Sequence, residues 1–173
     1  MTPEKLLELA HEARERAYAP YSHYAVGAAL LTKDGRVYQG CNIENAAYSP
    51  GNCAERTAFF KAVSEGRRDF TAIAIVGNKR GEAGDYCPPC GVCRQVMQEF
   101  CGPDFMIYMG RGDDSYEAVP LEQLLPYGFN ASAKNAYPLS LKDSCLAGRI
   151  AEMERMGVSC LKLEGRMKRP EYV

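Results

Sequence analysis

The run Thr71-Ala72-Ile73-Ala74-Ile75-Val76-Gly77 constrains this chain more than any other segment. It is almost wholly apolar and rich in β-branched side chains. A strand points successive side chains to opposite faces, so a run of this kind has to be covered on both. Helices must therefore lie on each side of the sheet that contains it. Residues 105–109, Phe-Met-Ile-Tyr-Met, read the same way. Upstream, residues 26–32 and 36–40 are strand-like and are joined by Lys33-Asp34-Gly35, whose Asp-Gly pair suits the positive φ angles of a tight hairpin.

The helices that would cover such a sheet are also visible. Thr2-Pro3 is a helix start, and Leu6, Leu9, Ala13 and Ala17 recur at helical spacing until Ala19-Pro20 stops the element. A second helix is predicted after Asn52 as N-cap, through Ala54, Ala58 and Ala62 to Gly66, with Cys53 and Glu55 in its first turn. Residues 78–89 are a polar loop punctuated by glycine and proline, which delivers Cys90, Cys93 and a third helix ending near Cys101-Gly102. The order helix, hairpin, helix, strand, helix, strand predicts an α/β layered domain with right-handed crossovers, its core ending near Phe129. A chain of 173 residues with 46% hydrophobic content can bury such a core.

Charge and cysteine usage narrow the function classes. A formal net charge of -1 supplies no basic field for tracking nucleic-acid phosphates, so nucleic acid is not expected as a partner. Glu4, Lys5, Glu8 and Glu12 interrupt the N-terminal leucines, which excludes a signal peptide there, and no run reaches membrane-spanning length. The expected location is the cytoplasm. In a reducing compartment, eight cysteines point to metal binding or catalysis rather than to a disulfide framework.

Cys90-Gly91-Val92-Cys93 sets two sulfurs at i and i+3 on the opening turn of a helix, facing one way, where the helix dipole favours thiolates. Cys53 stands at a second helix start. Three thiolates leave the fourth tetrahedral position of a zinc ion open, as catalytic zinc requires. Glu55, two residues on, is the carboxylate that can take a proton from water and deliver protons to a leaving nitrogen. In isolation it would be an ordinary first-turn carboxylate. Cys87-Pro88-Pro89-Cys90 overlaps the first motif, and a fourth thiolate would close the site into a structural centre. Two prolines favour polyproline II, which places Cys87 about 9 Å back along the loop and off the shared face. Cys41, Cys101, Cys145 and Cys160 read as buried or free thiols, and His11 and His23 have no ligand spacing.

With Cys53-Ala54-Glu55-Arg56 and Pro89-Cys90-Gly91-Val92-Cys93-Arg94, the chain resembles the homotetrameric zinc-dependent cytidine deaminases. Residues 26–31, Val-Gly-Ala-Ala-Leu-Leu, and 40–48, Gly-Cys-Asn-Ile-Glu-Asn-Ala-Ala-Tyr, extend the resemblance over roughly residues 5–129. The resemblance implies a three-layer α/β/α fold with a mixed sheet of about five strands. It implies one Zn(II) per subunit held by Cys53, Cys90 and Cys93, and Glu55 as proton shuttle. The reaction would be hydrolytic deamination of free cytidine and deoxycytidine. Asn42 and Glu44 then hydrogen-bond the ribose, Tyr24 and Ala54 contact the pyrimidine, and Arg56 offsets thiolate charge. Tyr24 stands where the family usually has Phe. Pro88 replaces a usual Ser, yet keeps the backbone carbonyl that would receive the leaving ammonia. Phe129 matches an aromatic that reaches a neighbouring subunit, so the resemblance implies a homotetramer with shared active sites.

A structural zinc module and a deaminase acting on bases in nucleic acid are the alternatives. The first assigns no task to Glu55, and the second needs a basic path for a strand. The catalytic domain is expected over residues 1–133. Residues 134–173 form a C-terminal appendage in which residues 138–143 and 161–168 resemble an interior stretch of the collagenase-like peptidases, without their catalytic apparatus.

Overall fold

The computed structural model describes residues 1–128, except 80, 83, 113 and 114. Two compact units divide the chain, Met1–Ala136 and Tyr137–Val173, and the described residues belong to the first. They form α1 (Pro3–Arg14), β1 (Tyr24–Thr32), β2 (Val37–Cys41), α2 (Ala54–Ser64), β3 (Phe70–Lys79), α3 (Gly91–Phe100), β4 (Met106–Gly110), β5 (Tyr116–Pro120) and the single turn α4 (Leu121–Leu124).

The strands make one mixed sheet in the order β2-β1-β3-β4-β5. β3 and β4 run parallel, and the other neighbours are antiparallel. Alternate residues of the apolar run separate as its pattern requires. Ile73 and Ile75 join Leu30, Ile107 and Phe59 in the larger cluster, whereas Ala72, Ala74 and Val76 join Leu6, Leu7 and Ala10 of α1 in the smaller. So α1 covers one face while α2 and α3 cover the other. Phe59 is fully buried and lies edge-on to Phe70, with ring centroids 4.9 Å apart, and stacks on Phe100 at 6.2 Å. These contacts lock α2 to β3 and to the end of α3, which fixes the relative position of the two helix starts that bear the cysteines.

Gly40 brings α2 unusually close to the sheet: a Cβ there would stand 2.3 Å from the Ala54 carbonyl and 2.5 Å from the Ala58 amide. Gly66 has φ +83 and follows the C-cap of α2, as expected of a helix-terminating glycine.

Four expectations need correction. α1 ends at Arg14, not near Ala19, because Tyr18 pairs in parallel with Ile43: the Tyr18 amide donates to the Asn42 carbonyl at 3.0 Å, and the Glu44 amide donates to the Tyr18 carbonyl at 2.8 Å. The N-cap of α2 is Cys53, not Asn52, and Cys53 therefore precedes the first turn. Asn52 instead forms an antiparallel bridge with Ile43, both amide bonds 2.9 Å long. The β1–β2 turn spans the four residues between Thr32 and Val37 rather than Lys33-Asp34-Gly35 alone, and of the Asp-Gly pair only Gly35 has a positive φ. Strand β5 was not assigned individually because Glu117 and the polar residues before Tyr116 mask its pattern. Phe129, Cys145, Cys160 and residues 134–173 lie outside the described residues.

Candidate active site

The helices α2 and α3 start side by side, with Cys53 and Cys90 as their N-caps and Cys93 in the first turn of α3. Neither N-cap sulfur is used in a cap hydrogen bond. The Cys53 and Cys90 sulfurs are 3.8 Å apart, and those of Cys90 and Cys93 are 3.4 Å apart. The three sulfurs lie within 4.8 Å of one another. A tetrahedral zinc ion with bonds of about 2.3 Å to sulfur needs sulfurs separated by roughly 3.8 Å, so this donor set fits zinc with one position left over. Cys87 is not part of the cluster.

The surroundings match a thiolate centre. The Cys93 thiol hydrogen-bonds Cys53 and, with Arg56, pushes the Cys53 thiol down to about 5. The same bond to Cys53 pushes Cys93 up, since one proton serves the pair. Arg56 Nη2 donates to the Cys53 sulfur at 3.5 Å, as expected of a residue that offsets thiolate charge. Its Nε is buried without a hydrogen-bond partner, which fits a more negative centre than neutral thiols alone provide.

Glu55 is 5% exposed, and burial, with the nearby Cys53 adding to it, pushes its carboxyl up to about 7. It borders a cavity of about 570 Å³, within the usual span for small-molecule sites. Asn42, Glu44 and Ala54 line the same cavity, together with Cys53, Cys90 and Pro88. The two bridges made by Ile43 fold residues 42–52 back so that Asn42 and Glu44 face the α2 start. Asn42 Oδ1 accepts from the Val26 amide at 2.8 Å, and Nδ2 donates to the Tyr24 carbonyl at 2.9 Å, which leaves one amide hydrogen and one lone-pair direction for a ligand. Glu44 accepts from the Ser22 hydroxyl, the Tyr21 amide at 2.9 Å and the Ser22 amide at 3.2 Å. These bonds, the Ser22 hydroxyl first, hold its carboxyl below the ordinary value.

Tyr24 is placed differently from its expected neighbours. It does not line the cavity: its hydroxyl donates to the Gly77 carbonyl at 3.0 Å, and its ring packs beside Gly77, as the Cys87 sulfur does. Cys87 is buried and borders the cavity, and burial pushes its thiol up to about 11. Cys41 donates to the Arg16 carbonyl at 3.3 Å, and Cys101 is buried. Sequence reasoning assigned nothing to Ser22, Val26 or Arg94. Arg94, one turn after Cys90, donates to the Pro89 carbonyl at 2.8 Å and to the Leu124 carbonyl at 2.7 Å, which holds the residue before Cys90. Its i+4 spacing from Cys90 was the available signal; Ser22 and Val26 had none, since the start of the interior strand β1 and the residues just before it bring them in.

The family model for the cytidine and deoxycytidylate deaminase zinc-binding region matches residues 1–109. A model for peptidase family U32 matches residues 90–173. The cytidine deaminase of Sporosarcina psychrophila is 51% identical over 130 residues, covering 75% of this chain and 93% of that protein. That of Halalkalibacterium halodurans is 50% identical over 135 residues, covering 78% and 99%. The crystal structure of cytidine deaminase from Burkholderia pseudomallei superposes with a TM-score of 0.69 at 47% identity, covering 75% of this chain and all of that one. Matched in sequence over its first 109 residues and in structure over three quarters of its length, this chain belongs to the cytidine and deoxycytidylate deaminase family.

Proposed function

We propose that this chain is a cytidine deaminase, converting free cytidine and deoxycytidine with water to uridine and deoxyuridine plus ammonia. The observation that carries the reading is a buried carboxyl, Glu55, at the wall of a nucleoside-sized cavity, beside a three-sulfur cluster with room for an open zinc position. Zinc held by Cys53, Cys90 and Cys93 supplies Lewis acidity that makes water nucleophilic near neutral pH. Glu55 accepts the proton that water gives up and passes protons to the pyrimidine and its departing amine, and a carboxyl titrating near 7 can do both. A new C–O bond forms at the amino-bearing carbon as its C–N bond breaks.

Substrate binding is assigned to the remaining wall. Asn42 and Glu44 take ribose hydroxyls, and both are already fixed by backbone bonds, so little ordering is needed on binding. Ala54 lies against the pyrimidine. Tyr24 supports that face from behind Cys87, and the Pro88 carbonyl receives the ammonia. Among the described residues that line the cavity, Arg56 alone is cationic and it is turned to Cys53, which favours an uncharged nucleoside over a phosphate-bearing strand. The reading includes a homotetramer in which Phe129 enters a neighbouring active site, one zinc per subunit and a cytoplasmic location. Tyr48 is 85% exposed at the cavity rim. Among the described residues, no helix is long and apolar enough to cross a membrane.

The test is direct. The purified protein should contain close to one zinc per chain and should convert cytidine, followed by ultraviolet absorbance, while leaving a cytosine-containing oligonucleotide unchanged. Zinc without nucleoside turnover would favour a structural centre, and turnover of the oligonucleotide alone would favour a nucleic-acid deaminase.

A further inference from the structure

The chain turns tightly just before it enters β1. The His23 amide donates to the Ala19 carbonyl at 3.1 Å, and His23 has φ +56, in the left-handed region that a non-glycine residue seldom adopts. This turn sets three donors from two adjacent residues on one carboxylate. Glu44 Oε2 accepts from the Tyr21 amide at 2.9 Å and from the Ser22 amide at 3.2 Å, which fills both of its lone-pair directions. Glu44 Oε1 accepts from the Ser22 hydroxyl and keeps one direction open. The Ser22 oxygen in turn accepts from the Tyr24 amide at 3.0 Å, so the first amide of β1 orients the hydroxyl toward Glu44. The main chain is tied at the same place, since the Glu44 amide donates to the Tyr18 carbonyl at 2.8 Å.

We propose that Ser22 is a positioning residue for the sugar: its hydroxyl aims Glu44 Oε1, the carboxylate oxygen that takes a ribose ring hydroxyl. With Oε2 filled by two amides, Oε1 is the oxygen that has a direction to offer a ligand. Ser22 spends its hydrogen on Glu44 and accepts from Tyr24, so it acts through Glu44 although it borders the cavity itself. Without its hydroxyl, the carboxylate is gripped through Oε2 and can tilt, and the sugar then meets an acceptor that has to be ordered on binding. Neither Ser22 nor Glu44 lies on α2 or α3, whose starts carry the cysteines and Glu55. The loss therefore falls on binding and spares the chemical step. The inference deepens the deaminase reading and rests on it.

The experiment compares zinc-loaded full-length wild type with Ser22→Ala, Ser22→Thr, Glu44→Ala and the Ser22→Ala/Glu44→Ala double variant, using cytidine as substrate. A hydrogen bond to a charged group, discounted for exposure to solvent, predicts that Ser22→Ala raises KM roughly three- to thirty-fold with kcat nearly unchanged. The same substitution should cost almost nothing further in the Glu44→Ala background. Ser22→Thr, which keeps the hydroxyl, should restore KM to near the wild-type value. A second measurement needs no turnover: calorimetric titration with the product uridine should show Kd rising in Ser22→Ala by a similar factor. Equal losses from Ser22→Ala in both backgrounds would overturn the inference, as would a fall in kcat at constant KM. So would Ser22→Thr behaving as badly as Ser22→Ala while keeping the wild-type thermal midpoint. Wild type that neither turns over cytidine nor binds uridine would overturn the deaminase reading and this inference with it, whereas an active wild type with KM and Kd unmoved in Ser22→Ala overturns the inference alone.

Discussion

Replacing Glu55 by Gln separates what the carboxyl does for chemistry from what it does to stability. The amide has nearly the same shape, so the wall and the cysteine cluster keep their positions, but it cannot accept a proton. General acid–base catalysis contributes about 10²- to 10⁴-fold, and turnover should fall by at least that much with zinc retained. The stability effect has the opposite sign. Burial holds the carboxyl near 7 against an ordinary value of 4.5. At about 1.36 kcal/mol per pH unit, the folded protein is destabilised by about 3 kcal/mol once the group is ionised. Below 4.5 the carboxyl is protonated in both folded and unfolded states and contributes nothing; the cost grows between 4.5 and 7 and is complete above 7. Metal-free Glu55→Gln should therefore match metal-free wild type near pH 4 and exceed it by up to about 3 kcal/mol at pH 8. Urea denaturation of chelator-treated protein across that range reads the difference. A gap independent of pH would refute the buried-carboxyl argument, and substantial turnover by the pure variant would refute the proton shuttle.

Serine at Cys53, Cys90 or Cys93 should abolish stoichiometric zinc, whereas Cys87→Ser should keep it, as measured by elemental analysis of the purified proteins. Gly40→Ala forces a methyl against the Ala54 carbonyl; it should lower stability by about 1–3 kcal/mol, read as a drop in thermal midpoint, and weaken zinc retention because α2 carries Cys53. Sedimentation at assay concentration should show a tetramer, and Phe129→Ala should impair turnover; a fully active monomer would contradict shared active sites. Truncation after Ala133 should leave zinc content, assembly and cytidine turnover nearly intact, and a soluble, zinc-loaded but inactive product would assign the tail a role.

What the sequence revealed and what it concealed follow from how local each determinant is. β3 was legible because a strand buried on both faces has to be apolar along its length, and Thr2 and Gly66 were legible because caps act within one helical turn. The thiol cluster was legible for the same reason: Cys90 and Cys93 share a turn, and Cys53 stands at another helix start. The early end of α1 was hidden, because residues 15–18 are drawn off by a pairing with Ile43, more than twenty positions away. Swapping the cap from Asn52 to Cys53 has the same cause: the backbone of Asn52 is committed to Ile43. The two bridges made by Ile43 thus account for two misplaced boundaries, and they also bring Asn42 and Glu44 to the cavity.

Cys87 shows how far a local argument reaches. Polyproline geometry correctly keeps it out of the cluster, but a rise measured along the chain does not say where a loop turns, and Cys87 returns to border the cavity. What leaves room for it there is the absence of a side chain at Gly77 on β3, which the Cys-Pro-Pro-Cys spacing does not contain. Two residues that looked unrelated in sequence, Tyr24 and the proline-flanked Cys87, therefore meet beside Gly77 in the fold. Spacing identifies the groups that do chemistry because metal geometry is strict. The groups that hold them in place answer only to the packing of the whole sheet, which is why the anchors of this site had to be read from its structure.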